Sequence, residues 1–212
     1  MPRCLRIFLL KFSAEDNTRS NEISEERVRD IIKTFFPSAE SRILEECVST
    51  QTAVKEAVKA CPGRPLLIVA RSQSGAFGRF GRKFYSPPGG LWFSFFVPSS
   101  LALLNEDCAL VVAEKIKDKL SSALSLELAT KEPNDIVTPS GHKLAGIIVT
   151  GIYRGSECLG SVIGLGLNVN NDTAFDGVDA VSLREIKGGY VFIEDILRLC
   201  LQSIASLVYD KY

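Results

Sequence analysis

Asp135–Val169 reads DIVTPSGHKLAGIIVTGIYRGSECLGSVIGLGLNV, and its patterning decides the fold class. Residues 135–138, 143–153 and 158–169 are runs rich in Val, Ile and Leu. Pro139-Ser140-Gly141 is turn chemistry between the first two. Such runs with such punctuation predict strands joined as successive antiparallel hairpins. Upstream, the pattern changes period. Val28, Ile31, Ile32, Phe35 and Phe36 recur at helical spacing, with Ser24 as N-cap, Glu25 and Glu26 in the first turn, and Pro37 as the stop. Strands are expected over 3–12, 42–48, 65–70, 91–97 and 126–129. A short helix is expected over 52–60, capped by Ser49-Thr50, and longer helices over about 102–120 and 192–209. The last presents Ile193, Ile196, Leu197, Cys200, Ile204 and Leu207 on one face. No repeat or linker interrupts the series. Residues 1–212 therefore read as one α+β domain: a mixed, largely antiparallel sheet with helices packed on it.

Composition narrows the function. The chain has 25 Lys+Arg against 25 Asp+Glu, a formal charge of zero, which argues against a protein held on nucleic acid by a basic surface. Hydrophobic residues are 46% and charged residues 24%, as in ordinary globular proteins. No apolar run reaches the roughly 18–20 residues of a membrane span. Residues 4–10 are apolar, but Arg6 interrupts them and no small-residue cleavage site follows, so a signal peptide is not expected. The expected address is the cytoplasm. Cys4, Cys47, Cys61, Cys108, Cys158 and Cys200 are scattered, with no CxxC pair, so they read as small buried hydrophobes rather than zinc ligands. The single histidine is His142.

Three stretches carry candidate chemistry. Arg71–Ser94 reads RSQSGAFGRFGRKFYSPPGGLWFS. Its glycines at 75, 78, 81, 89 and 90 let backbone approach a ligand, and Arg71, Arg79, Arg82 and Lys83 supply positive charge. Residues 71–90 read as a long anion-binding loop, with neither GxGxxG nor GK[ST] in them. The second stretch, from Lys131, places Asp135 at the start of one hairpin strand and Lys143 at the start of its partner. They read as cross-strand neighbours. Spacing leaves two readings open: a surface ion pair, or a cation and a base or metal-binding carboxylate facing one pocket. In the third, Gly164–Asn170, a strand ends in asparagines suited to a ligand's edge or to turn capping.

Taken in order, these stretches resemble the biotin protein ligase family, a branch of the biotin/lipoate ligases. The family's central loop is matched by Gln73, Gly78, Arg79, Gly81, Arg82, Ser86, Pro87, Gly89, Gly90, Leu91 and Ser94. Its K-W-P-N-D and K-L-A-G-I elements are matched by Lys131, Pro133, Asn134 and Asp135, then by Lys143 to Ile147. Gly164 to Asn170 match G-x-G-x-N-V-N, and Ser49-Thr50-Gln51 stand where the family has S-T-N. The resemblance spans about 42–209. It implies a biotin/lipoate ligase-like catalytic domain without an N-terminal helix-turn-helix or a C-terminal β-barrel domain.

The resemblance also implies ATP-dependent activation of biotin to biotinyl-5'-AMP, then transfer to a lysine of the biotin carrier domain of a biotin-dependent carboxylase. Arg79, Lys143 and Asp135 would carry the chemistry. Biotin would lie among Ser49, Thr50, Gln51, Gln73, Phe77, Gly78, Arg79, Lys143 and Gly146. Arg79, Arg82, Phe84, Asn134, Lys143 and Asn168 would hold ATP. Asp135 would help bind Mg²⁺. Nucleic acid and membrane are not expected partners, and a homodimer is compatible with the pattern. The chain departs from the family where Ala76-Phe77 replaces its first Gly-Arg, Phe84 a tryptophan and Glu132 the tryptophan of K-W-P-N-D. Ala76-Phe77, Glu132 and the expected lack of the C-terminal domain favour an alternative, a homologue that binds biotin or biotinyl-AMP without efficient transfer.

Overall fold

The computed structural model describes residues 23–60, 62–78, 81–99, 107–174 and 179–209. The expected strand at 3–12 and residues 102–106 of the expected third helix lie outside these. The described elements are helix α1 (Glu25–Phe35), strand β1 (Glu40–Cys47), α2 (Thr50–Ala60), β2 (Leu66–Gln73), β3 (Leu91–Pro98), α3 (Cys108–Leu124), β4 (Ala129–Lys131), β5 (Asp135–Val137), β6 (Lys143–Arg154), β7 (Glu157–Leu167), α4 (Leu183–Lys187) and α5 (Ile193–Tyr209). Seven strands form one sheet in the order β1-β2-β3-β7-β6-β5-β4. Only β1 and β2 are parallel; every other pair is antiparallel. The expected α+β class and sheet type hold.

Strand alternation sorts side chains onto two faces. Phe93 and Phe95 of β3, Ile163 and Leu165 of β7, and Ile147 of β6 join the main core with α1, α3 and α5. Phe36, just past α1, stacks on Phe95 at 4.7 Å and on Tyr209 at 5.5 Å between ring centroids. Ser24 caps α1 as expected, its hydroxyl accepting from the Arg27 N–H. Glu194 in the first turn of α5 accepts from the Ser24 N–H at 3.0 Å and from Arg27 at 2.8 Å, tying the two helices together. Among the described residues, the opposite face carries one helix, α2, packed through Val54 and Val58 on Leu66, Ile68, Phe96 and Val162. Beside α2, the described residues leave the rest of that face open. There β7 supplies Gly164 and Gly166 in place of large side chains, and β6 supplies Gly146.

Two expectations need correction, one element is additional, and one expected cross-strand contact forms by a less direct route. Residues 71–90 are not one loop: β2 runs on to Gln73, and the chain then folds back on itself, Phe77 bridging Lys83 and Gln73 bridging Ser86. The paired arm is fixed at its base by N–H groups of Ser74 and Gly75 donating to the carbonyls of Cys47 and Val48. The strand expected at 126–129 lies at Ala129–Lys131, because α3 runs to Leu124 and ends on a left-handed Ser125. Helix α4 is an additional element; five residues are too few for a helical period to show. Asp135 is opposite Gly146, and Lys143 is opposite Val137, a register shift at Ile136/Val137 separating the pairs. No helix among the described residues is long and apolar enough to cross a membrane.

Candidate functional site

The open face beside α2 forms a cleft of about 590 Å³, within the range of small-molecule sites. One end is built by the turn from β1 into α2. The Thr50 N–H donates to Gln73 Oε1 at 2.8 Å, Gln73 Nε2 donates to Ser86 Oγ at 2.9 Å, and the Thr50 and Ser94 hydroxyls pair at 2.9 Å. Gln73 thus joins β2, the head of α2 and the folded-back arm, and both ends of its amide are occupied. Gln51, one residue into α2, differs. It is 4% exposed and lines the cleft, yet neither its Nε2 nor its Oε1 has a protein partner.

The floor is set by glycine. A Cβ at Gly164 would collide with Gln51 Nε2, and one at Gly166 would lie 2.5 Å from the Phe84 ring. Leu165 and Leu167 alternate with these glycines into the core. Phe84 stands edge-on to Trp92 at 5.8 Å, and Lys143 Nζ lies 5.6 Å from the Phe84 centroid.

The other end carries the charge. Lys143 Nζ is 2.7 Å from Asp135 Oδ1, with the side chains 32% and 22% exposed. The bulge carries the lysine back toward Asp135, and Gly146 makes room: a Cβ there would sit 3.2 Å from Nζ and 3.3 Å from Oδ1. Backbone bonds fix Lys143 on its far side, its N–H donating to the Asp179 carbonyl and its carbonyl accepting from Val181. Burial makes an unpaired charge costly here, and the pairing offsets that cost for both groups. Asn134 braces this end through a 2.6 Å bond from Nδ2 to the Ile147 carbonyl.

Ser49, Thr50, Gln51, Gln73, Phe77, Gly78, Arg82, Phe84, Asn134, Asp135, Lys143 and Gly146 all line this one cleft. Arg79 lies outside the described residues. Asn168 lines a smaller adjoining cavity of about 100 Å³ that shares Lys83, Phe84 and Lys143 with the main cleft. It donates to the Lys143 carbonyl at 3.4 Å and accepts from Asn171, so part of its capacity goes to the turn. Phe77 keeps 42% of its surface exposed at the cleft, without a charge where the family pattern has one. Sequence reading assigned no site role to Gly164, Gly166 or Ser94. The signal for the two glycines was present in the alternation of glycine with leucine along β7.

Mg²⁺ commonly takes one or two carboxylates plus phosphate oxygens. Asp135 offers one carboxylate with one oxygen already on Lys143, and no cluster of three His, Cys, Asp or Glu exists among the described residues. That donor set suits a metal arriving on a nucleotide rather than one resident in the protein.

The sequence model of the Biotin/lipoate A/B protein ligase family matches residues 44–168. Among solved structures, the chain is similar to the biotin protein ligase of Aquifex aeolicus in complex with biotin and ATP, at 27% identity and TM-score 0.68, covering 80% of this chain and 70% of that one. It is also similar to biotin acetyl coenzyme A carboxylase synthetase of Helicobacter pylori with bound biotinylated ATP, at 26% identity and TM-score 0.60, covering 78% and 73%. The Leishmania major biotin protein ligase shares the fold at 20% identity and TM-score 0.68, covering 81% and 75%. With its matched motifs converging on one cleft, this chain belongs to the biotin/lipoate A/B protein ligase family and has the catalytic-domain fold of its biotin protein ligases.

Proposed function

We propose that this chain is an ATP-dependent biotin protein ligase acting as one catalytic domain. One observation carries the reading: residues from four separate motifs, Ser49-Thr50, then Gln73 with Phe77, Gly78 and Arg82, then Asn134 and Asp135 with Lys143 and Gly146, and Gly164 with Gly166, line a single cleft. That cleft has polar, uncharged groups at one end and the Lys143–Asp135 pair at the other. This polarity suits a substrate with a neutral ring and a carboxylate tail. Solved relatives hold biotin with ATP, or a biotinylated nucleotide.

In the proposed reaction a biotin carboxylate oxygen bonds to the α-phosphorus of ATP, the bond to the β-phosphate oxygen breaks, and pyrophosphate leaves. The amine of a carrier lysine then attacks the acyl carbon, AMP leaves, and the amine loses a proton. Two anions must meet in the first step, so their repulsion is the barrier the protein must lower. Lys143, fixed on both sides by backbone, would neutralise the meeting point, with Arg79 joining it by its place in the family pattern. Asp135 holds Lys143 in position and would poise the incoming amine. Mg²⁺ would arrive with the nucleotide and add charge neutralisation, Asp135 being the residue nearest to hold it. Arg82, Phe84, Asn134 and Asn168 would surround the nucleotide. The partner would be the biotin carrier domain of a carboxylase, and the cytoplasm the place of action.

Incubation with ATP, Mg²⁺ and labelled biotin should yield biotinyl-AMP, and added carrier domain should become labelled. No adenylate and no biotin binding would overturn the reading. Phe77 favours a second one, a homologue that retains biotinyl-AMP but transfers it poorly, because an exposed apolar ring lines the cleft where a cation is expected. Adenylate formed by the wild-type chain but passed to the carrier only after Phe77→Arg would select it.

A further inference from the structure

His142 is the single histidine of the sequence, stands immediately before Lys143, and has no part in the functional reading so far. Its ring is nonetheless engaged on both sides. Toward the turn, Nδ1 lies 2.7 Å from Ser140 Oγ, which lies 2.8 Å from Thr138 Oγ1. The turn closes on itself: the His142 N–H donates to Thr138 Oγ1 at 3.2 Å, and the Thr138 N–H donates to the His142 carbonyl at 3.0 Å. Away from the turn, Nε2 lies 3.2 Å from Asp179 Oδ1. A carboxylate only accepts, so it selects the tautomer with its hydrogen on Nε2. Nδ1 then accepts from Ser140, and Ser140 from Thr138, so every donor in the series points one way.

Asp179 carries this series to the cleft. Its carbonyl accepts from the Lys143 N–H at 2.9 Å, and the Val181 N–H donates to the Lys143 carbonyl at 3.0 Å, forming a parallel bridge between Lys143 and Ala180. Asp179 lines the main cleft beside Lys143, and Ala180 lines the smaller cavity with Asn168. On its other side Lys143 faces β5, which is three residues long and irregular at Ile136/Val137. A bulge disrupts the ladder around it. The lysine backbone therefore sits between two short partners, and the His142–Asp179 contact is what ties one of them to the turn.

We infer that His142 is a positioning residue for Lys143: with Asp179 it clamps residues 179–181 against the start of β6 and so fixes where the ammonium points. The two side chains are 45% and 74% exposed, so water screens the pair and its effect on global stability is small. Its effect is local, on how often the bridge at Lys143 opens. A cation acts on developing charge only while it is held in place, so each opening removes Lys143 from the reaction. The inference rests on the ligase reading and deepens it, adding a residue that touches neither substrate but governs the one that does.

The test compares wild type with His142→Ala, Asp179→Ala and the double variant. Hydrogen exchange read amide by amide should show Lys143 and Val181 exchanging roughly 2- to 5-fold faster in each single variant, the range for one exposed ion pair. The amides of Ile163 and Leu165 in β7 should be unchanged. Single-turnover adenylation at saturating biotin and ATP should fall by a similar factor, while biotin affinity by calorimetry and the melting temperature stay near wild type. A merely structural residue would lower the melting temperature and leave the rate of the folded protein alone. The double variant should be no worse than either single one, because both changes break the same contact. Unchanged exchange at Lys143 and Val181, unchanged adenylation, or additive losses in the double variant each overturn the inference and leave the ligase reading standing. Wild-type protein that forms no adenylate overturns both.

Discussion

Lys143 lies 2.7 Å from Asp135 and packs toward the Phe84 ring, so its ammonium is aimed by a charge, a ring and two backbone bonds at once. Such a preorganised cation is worth most where negative charge concentrates, which in the proposed reaction is the meeting of carboxylate and phosphate. Lys143→Ala should lower single-turnover adenylation about a hundred- to a thousandfold, the typical cost of one lost electrostatic contact. Biotin affinity, read by calorimetry on the same variant, should fall much less, because the ground-state ring contacts remain. Equal losses in both would place Lys143 in binding alone. That Asp135 and Lys143 are neighbours was legible in the sequence. Their route to each other was not, because it depends on a register shift and on Gly146 standing opposite Asp135.

Among the elements, α4 shows how a short helix is held by its ends. Ser182 accepts from the Glu185 N–H while the Glu185 carboxylate accepts from the Ser182 N–H and hydroxyl, a full capping box, and Gly188 closes the helix at φ 69°. Glu185 also accepts from Thr173, so it ties α4 to the turn after β7. Burial pushes the Glu185 carboxyl up, but the bonds from Ser182 and Thr173 outweigh it, and the group sits below its ordinary value. A carboxyl depressed in the folded state stabilises it above the ordinary carboxylate range, and that contribution is lost as pH falls through the folded value. Ser182→Ala should cost about 1 kcal/mol at neutral pH. In denaturant melts the gap between variant and wild type should narrow as pH falls below the ordinary carboxylate range, as Glu185 takes up its proton. A gap independent of pH would mean that Glu185 does not draw its low value from this cap.

At the scale of the molecule, the described residues commit one face of the sheet to packing under α1, α3 and α5, and divide the other between α2 and the cleft. Phe36 is 1% exposed, and its ring contacts Phe95 in the sheet and Tyr209 near the end of α5. Phe36→Ala should destabilise by about 3–5 kcal/mol, the range for an aromatic removed from a core. Biotin affinity extrapolated to the folded fraction should hold, since the ring is across the sheet from the cleft. In the same core the Cys200 thiol is pushed up to about 12 by burial. Native protein treated with iodoacetamide at pH 8 should therefore spare Cys200, also spare buried Cys108, and label part-exposed Cys158. Mass spectrometry of the digest checks this, and alkylated Cys200 in folded protein would mean that the core opens readily.

Much of this protein is determined locally and can be read from its residues. The helical spacing of Val28, Ile31 and Ile32, the cap at Ser24, and the alternation along β6 and β7 are short-range choices that agree with the final fold. The ordered motifs likewise announce the family, because a glycine or a cation at a set spacing is a local statement. Tertiary structure decided the rest. Only in the folded chain do residues drawn from 49–51, 73–78, 82–84, 134–146 and 164–166 share one cleft, since strand order places β3 between β2 and β7. Only there does one glutamine find both its partners while another, 22 positions away in the sequence, is left with none. Hydrogen bonding is a competition among groups brought close by folding, and a sequence names the competitors without the distances that choose between them.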